Sequence, residues 1–560
     1  MLRIDGGTLN SSEFILFRNG KFEFTITGGL VNHAGASQSI SLGYTNNSVG
    51  TMNVVGGTLD NTGRDIIVRE SGGTPNVNIN LNGGTTITNA IRKANAAGTA
   101  VVNFNGGTLT PGSNGGTVLQ AATGLTAYVN GAFGTFSGGT VIDTAGLNTT
   151  INTALLAPTG NGIYGLMINT AGSGYIGAPL VEITGGGGTG ATAYAVVDLD
   201  PNSPTFGQVT DIVLTNPGVG YTSTPTITLL GGGGSGAAVS AAGTIANTSG
   251  GLTKNGAGTL TLSAVSTYTG GTTINAGTLA LGVANALPNV GNITVAGGTL
   301  DMVTFSDTVA GVVLQSGVIN GTTGVLTSTS AYDLRSGVVN AILAGSVGLN
   351  KSTLGTVTLG GANTFSGPVN VTGGTLEFST SANLGNASAT NTLGLTGATL
   401  RYTGVGVVDL GANRVLSLGG GTSTVQASAS TGAEFLGRSR CFGNRELGQV
   451  RPGSGVLRRH DQSQRRLRQR RRRGAACRLR NFGHRVADRW FDRRHGFRQR
   501  RRTGSHRLEH AKPFRRLQTS FRTRRTDQRQ PHAHRRGQRF RNNHPRLHQL
   551  RRESARRLTT

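Results

Sequence analysis

The sequence predicts an all-β chain: a right-handed parallel β-helix with an inserted β module, followed by a disordered basic tail. Three observations predict it. A Gly-Gly-Thr-Leu signature recurs at short intervals, apolar and polar residues alternate in runs of three to five, and the composition breaks abruptly near residue 430. Recurrence at intervals of a few tens of residues is the mark of a solenoid rather than of separate domains.

The signature begins at Gly6, Gly56, Gly106 and Gly297, and recurs, whole or in variant form, at Gly83, Gly138 and Gly373. Between Gly56 and Gly138 successive copies lie 27, 23 and 32 residues apart. Each unit reads as strands. In Gly258-Thr-Leu-Thr-Leu-Ser263, Leu260 and Leu262 share one face while Thr259 and Thr261 share the other. Thr273-Ile-Asn275 and Thr278-Leu-Ala-Leu281 repeat the alternation after Gly-Gly or Ala-Gly breaks. Strands this short cannot bury an apolar face alone. Stacked coils can, because each strand pairs with its equivalents at roughly 4.8 Å above and below. At about 20–25 residues per coil the first 430 residues make roughly twenty coils.

Two segments align without a gap at an offset of 97 residues: 251–282 and 348–379. Lys254 matches Lys351, Gly258 matches Gly355, Tyr268 matches Phe365, and Gly277-Thr278-Leu279 matches Gly374-Thr375-Leu376. The run Lys254-x-Gly-x-Gly-Thr-Leu-Thr-Leu…Thr-Tyr-Thr-Gly-Gly-Thr-Thr-Ile-Asn-x-Gly-Thr-Leu resembles the autotransporter-associated β-strand repeat. The second copy departs from it where Gly271 becomes Pro368. The resemblance implies the passenger region of a bacterial surface protein, located at the cell surface, on the outer membrane or outside the cell. It also implies a leader and a C-terminal outer-membrane barrel or another sorting signal in the intact parent. The opening residues lack a charged region followed by an apolar stretch and already lie inside a signature unit, so the start is expected to be truncated.

The domain boundaries follow from these patterns. Residues 1–159 are expected to be β-helix repeats, and 246–430 β-helix with the autotransporter-type repeats. Between them, 172–191 matches 218–237 at an offset of 46 residues: Tyr175 pairs with Tyr221, Pro179 with Pro225, and Gly185–Gly188 with Gly231–Gly234. Residues 160–245 therefore read as a duplicated glycine-rich β module. A phosphate-binding loop needs Gly-Lys-Ser/Thr opening a helix, and neither copy has the lysine, so the glycine runs read as turns.

The tail, 431–560, holds 40 of the 52 Lys and Arg but only 8 of the 24 Asp and Glu, a net +32, which leaves residues 1–430 at −4. Taken literally it is disordered, and Arg471–Arg473 and Arg500–Arg502 resemble nucleic-acid patches. A one-base change of reading frame explains its composition better, because Arg-Arg then conceals Gly, Ala, Val or Asp. Arg458-Arg459-His460-Asp461 decodes to Gly-Gly-Thr-Thr, so the frame is expected to break near Thr431–Arg440. Cys441 and Cys477, the two cysteines of the chain, lie 36 residues apart without metal-site spacing.

Chemistry is sparse. His33 is the sole histidine before the tail and reads as a solvated turn residue. Asp198 and Asp200, before Pro201, are a potential cation site or acid–base pair, but a turn is the simpler reading. Asp5, Asp60 and Asp301 are expected to end strands. Tyr175, Phe206 and Tyr221 are expected to pack, with a sugar-binding surface as the alternative. No residue is assigned a catalytic, cofactor-binding or metal-ligating role, and no cofactor is expected. The leading expectation is a non-catalytic structural or adhesive surface protein. Its partner would be an unknown surface ligand or matrix, a glycan among the options, and its open strand edges would allow end-to-end self-association. One alternative is a polysaccharide-acting enzyme using Asp198, Asp200 and Asp211 on one face. The other is nucleic-acid binding through the tail, although no specific nucleic acid is expected as a partner.

Overall fold

The computed structural model describes residues 1–427, apart from 14, 19, 45–46, 69–73, 95–96, 122–123 and 412, together with strands Glu434–Leu436, Ser439–Arg440 and Gly455–Arg458. Contacts divide the chain into Met1–Arg485 and Val486–Thr560, and every described residue belongs to the first unit. The expectations for the tail, including its disorder, its reading frame, the cysteines and the arginine runs, lie outside the described residues, those three strands aside.

The described chain is a parallel β-solenoid. Its middle column runs through sixteen strands, from Thr8–Asn10 to Ser439–Arg440, each hydrogen-bonded to the strand one coil earlier and one coil later. A first column, from Leu2–Ile4 to Leu155–Leu156, and a third column, from Ile15–Phe17 onward, flank it. The chain between Leu156 and Leu252 contributes no strand to the middle column. Gly455–Arg458 pairs antiparallel with Thr422–Ala427, unlike every rung before it.

Alternation puts the apolar side chains of one face of each strand into the shaft, and register stacks them. Leu2, Phe24, Met52, Ile79, Val102, Ala127 and Leu155 form one such file in the first column. Leu260, Leu279, Leu300 and Ile319 form another in the third, all fully buried. The core is therefore a continuous filament, and each coil is stabilised by its two neighbours.

The glycines of the signature stack as well. Gly7, Gly29, Gly57 and Gly84 all have φ between +48° and +73°, the left-handed region open to glycine. A Cβ on Gly84 would lie 2.6 Å from the carbonyl oxygen of Gly57, and one on Gly298 would lie 2.8 Å from that of Gly277. The signature is thus a corner: the second glycine turns the chain under the corner of the preceding rung. The leucine two residues on, Leu59, Leu109 or Leu300, then enters the core.

After Leu155–Leu156 the chain leaves the stack. It returns through Thr244–Ala246, which pairs antiparallel with Asn161–Ile163. Between them Leu166–Ser173 pairs with Ser235–Ala241, Leu180–Thr184 with Thr226–Leu230, and Thr192–Val197 with Val209–Asn216, all antiparallel. The Leu180–Thr184 ladder aligns Val181 with Leu229 and Ile183 with Ile227. A shift of 46 residues carries this ladder onto itself, so the two sequence copies are related by a pseudo-twofold axis through its centre.

Candidate functional site

The motif lysines are interior. Lys254 aligns with Ile142 on one side and Ile274 on the other, so its stem occupies an aliphatic position in the middle-column file. Its fully buried ammonium donates to Thr144 Oγ1 (3.0 Å) and to the carbonyls of Asn255 (2.7 Å), Gly256 (2.8 Å) and Ala276 (3.2 Å). Lys351, aligned with Val371, holds the carbonyls of Thr353 and Gly373 in the same manner. Each lysine clamps the turn after its own strand to the next coil. Burial pushes the Lys254 ammonium down to about 8, with the Asp143 carboxylate opposing.

The aromatic motif position is equally internal. Tyr268 and Phe365 are both fully buried. The Tyr268 hydroxyl hydrogen-bonds the Thr272 hydroxyl at 2.5 Å. In the second copy the tyrosine is Phe365, and the residue equivalent to Thr272 is Val369. The polar pair is replaced as a pair, and no buried hydroxyl is left alone.

These residues fall within two matches to the family Passenger-associated-transport-repeat, at 252–281 and 349–378. The chain carries autotransporter passenger repeats. It is also similar to the adhesin BmaC autotransporter of Brucella suis biovar 1 (strain 1330), 36% identical over 141 residues, which is 25% of this chain. The match covers 4% of that much longer relative. No solved structure matches. In the passenger repeats of this chain Lys254, Lys351, Tyr268 and Phe365 are therefore scaffold, and other positions face outward. Among the latter are Asn–Asn pairs between rungs, Asn275 to Asn255 (2.9 Å), Asn340 to Asn320 (2.9 Å) and Asn370 to Asn350 (3.1 Å).

The glycine runs of the inserted module grip tyrosines reciprocally. A Cβ on Gly186 would lie 2.9 Å from Tyr221 Cδ1, and one on Gly232 would lie 2.9 Å from Tyr175 Cδ1. Gly188 and Gly234 close over the same two rings. Each copy's glycine run covers the other copy's tyrosine, which leaves Tyr175 4% and Tyr221 3% exposed. Phe206 differs from the packing expected of it: it lies 52% exposed beside the Asp198–Gln208 turn.

The module rests on the outer face of the first column. Asn80 Nδ2 donates to Asn53 Oδ1 (2.7 Å) and Thr192 Oγ1 (2.8 Å), and Asn82 Nδ2 donates to the Thr215 carbonyl (2.8 Å). Asn130 Nδ2 donates to Asn105 Oδ1 (2.6 Å) and Asn216 Oδ1 (3.0 Å). Lys21 pairs with Glu182, and the Arg3 guanidinium lies 4.9 Å from the Tyr194 ring centre. Glu23 is enclosed beneath this contact, accepting a bond from Thr25 Oγ1 at 2.9 Å, and burial pushes its carboxyl up to about 7.

His33 is fully buried rather than solvated. At a solenoid corner the side chain following a strand can turn inward, and His33 Nε2 meets the Gln38 carbonyl at 3.0 Å. Burial lowers its pKa, which favours the neutral ring. Asp198 accepts the Asp200 amide (3.0 Å) and the Thr205 hydroxyl (2.6 Å), while Asp200 accepts the Asn202 amide (2.9 Å). Both carboxylates serve a turn. Asp211 sits on the adjoining strand opposite Val196 and accepts the Ile212 amide (2.8 Å). Among the described residues no three His, Cys, Asp or Glu gather as a metal site. Asp301 ends its strand and accepts the Val303 amide (2.9 Å). Asp60 accepts the Thr62 amide (3.0 Å) but lies within the longer strand Thr58–Val68. Asp5, which follows Leu2–Ile4, pairs with Arg3. Among the described residues no helix is long and apolar enough to cross a membrane.

Sequence reasoning missed a cleft at the root of the module, where Asn130 and Phe133 of the solenoid face Ile163, Tyr164, Pro217 and Asn247. Its residues come from four distant stretches with no shared motif, so the sequence carries no signal for it.

Proposed function

We propose that this chain is a non-catalytic segment of a bacterial surface passenger, in which the solenoid acts as a stiff shaft and the inserted module as a displayed body. The observation that carries this reading is the internal use of the lysine and aromatic positions of the passenger repeats. Lys254, Lys351, Tyr268 and Phe365 hold coils together and none presents chemistry outward. The likeness to an adhesin autotransporter supports an adhesive role at the cell surface. The outer ladders of threonine and asparagine offer many uncharged hydrogen-bonding groups, suited to a matrix or glycan partner. Open strand edges add the capacity for end-to-end association.

The test is protease shaving of intact cells that express the native locus, with a cytoplasmic protein as the control. Removal of the chain by external protease, with no sugar released from polysaccharide substrates by the purified protein, is the expected result. Retention of the chain inside intact cells, or turnover of a polysaccharide, would overturn the proposal.

A further inference from the structure

The cleft at the module's root has a volume of about 210 Å³, and none of its lining residues carries a charge. A neutral ligand is therefore favoured over an anion or a cation, either of which would lose its hydration without compensation.

Three features of the cleft go beyond an accidental gap. First, Tyr164 is 56% exposed although the edge of its ring is braced on the chain: a Cβ on Gly243 would lie 2.6 Å from its Cε1. This aromatic platform occurs in one copy of the duplicated module. A shift of 46 residues from Tyr164 meets Thr210, and Gly243 corresponds to Val197. The copies agree where they pack and differ where one of them faces the cleft. Second, Asn130 is 5% exposed, and both its amide hydrogens are engaged by Asn105 and Asn216. Asn130 lines the cleft, and its side-chain oxygen accepts no hydrogen bond among the described residues. Third, Asn247 repeats this arrangement. Its amide nitrogen donates to the Thr159 and Gly218 carbonyls, and its oxygen, close to Gly162, accepts no hydrogen bond among the described residues.

The side-chain amides of Asn130 and Asn247 on the cleft wall can accept from hydroxyl groups, and the exposed Tyr164 ring with Ile163, Pro217 and Ile245 suits a C–H surface. A molecule that is neutral, of single-ring size, apolar on one face and rimmed with hydroxyls is a pyranose sugar. We propose that the cleft between Asn130, Tyr164 and Asn247 binds one neutral pyranose ring. This rests on the surface-passenger reading for its biological setting, but not for its chemistry.

The experiment is saturation-transfer NMR on the full chain with methyl α-glucopyranoside and methyl β-galactopyranoside, and with glucuronate and glucosamine as charged counterparts. An open single-ring site binds in the millimolar range. Transfer to the C–H protons of at least one neutral pyranoside is expected, and weaker transfer to the charged sugars. Tyr164→Ala should weaken binding by about tenfold or more, whereas Tyr164→Phe and Phe206→Ala should preserve it. Ile245→Lys provides a second variant at an exposed position, which places a charge at the mouth and should also abolish transfer. Absence of transfer to both pyranosides, or transfer that survives Tyr164→Ala and Ile245→Lys, would overturn the proposal. A chain that is shaved from intact cells yet binds neither pyranoside defeats the site and leaves the surface reading standing. A chain that binds a pyranoside but resists shaving does the reverse.

Discussion

The exchange of Tyr268 and Thr272 for Phe365 and Val369 defines a double-mutant cycle already half performed by the two repeats. In the first repeat the Tyr268 hydroxyl has the Thr272 hydroxyl as its partner at 2.5 Å, and the residues are 0% and 3% exposed. Tyr268→Phe leaves the threonine hydroxyl enclosed without its partner, and Thr272→Val does the same to the phenol. Each single change should cost about 1–3 kcal/mol, the desolvation of one unpaired buried group. The double variant recreates the apolar pair of the second repeat and should fall within about 1 kcal/mol of the parent, giving a coupling of about 1–6 kcal/mol. A stacked array opens locally, so a global melting temperature is a poor readout. Hydrogen exchange of peptides spanning 266–282 reports the rung itself, where each 1.4 kcal/mol is a tenfold change in protection. If the two single effects simply add in the double variant, the hydroxyls are not partners and the account of the paired replacement fails.

Three further outcomes follow from the same geometry. Lys254→Met keeps the aliphatic stem in its file but removes the clamp on the Asn255, Gly256 and Ala276 carbonyls. It should cost about 2–4 kcal/mol in local exchange, with no change at the rung of Lys351. Gly188→Ala drives a methyl into the enclosed Tyr221 ring, whereas Gly177→Ala meets nothing within 4 Å. The first should make the module protease-sensitive by about 1–3 kcal/mol, and the second should be silent. The Glu23 carboxyl, pushed up to about 7 by burial, binds its proton in the folded state at a pH where the unfolded chain has released it. The folded state gains stability below about pH 4.5 that is lost as pH rises through about 7, a change of about 2–3 kcal/mol. Protection in Thr192–Val197, the module strand above Glu23, taken relative to the intrinsic exchange rate at each pH, should fall between pH 5 and 7.5, and Glu23→Gln should flatten that fall.

The solenoid was legible because its signals are periodic. Alternation in Thr259–Leu262 specifies a half-buried strand, and the recurring Gly-Gly-Thr-Leu marks a corner, as Gly57 and Gly84 demonstrate by their stacking. What periodicity cannot convey is which polar residue turns inward. Lys254 lies in a file of isoleucines, and His33 is enclosed at a corner, because in a narrow shaft a long or ring-shaped side chain can reach turn carbonyls from inside. The duplication of the module was visible as a 46-residue offset, but the exchange of tyrosines between copies was not. It depends on antiparallel pairing of Leu180–Thr184 with Thr226–Leu230, which no local pattern encodes. The cleft was hidden for the same reason, since Asn130, Tyr164 and Asn247 meet only after the chain has left the stack and come back.

That departure and return has a consequence for how such proteins acquire new parts. The chain exits after Leu156 and re-enters at Leu252, and the rung continues: the amide of Thr267 bonds the carbonyl of Leu155, and Leu252 takes its place opposite Thr140. Exit and entry are joined by the ladder Asn161–Ile163 with Thr244–Ala246, which acts as a two-stranded stalk. A corner of the coil is therefore a splice point, where foreign sequence of domain length can be accepted without shifting the phase of the rungs on either side. Recombination at such corners would let a lineage exchange the body it displays while inheriting the shaft unchanged.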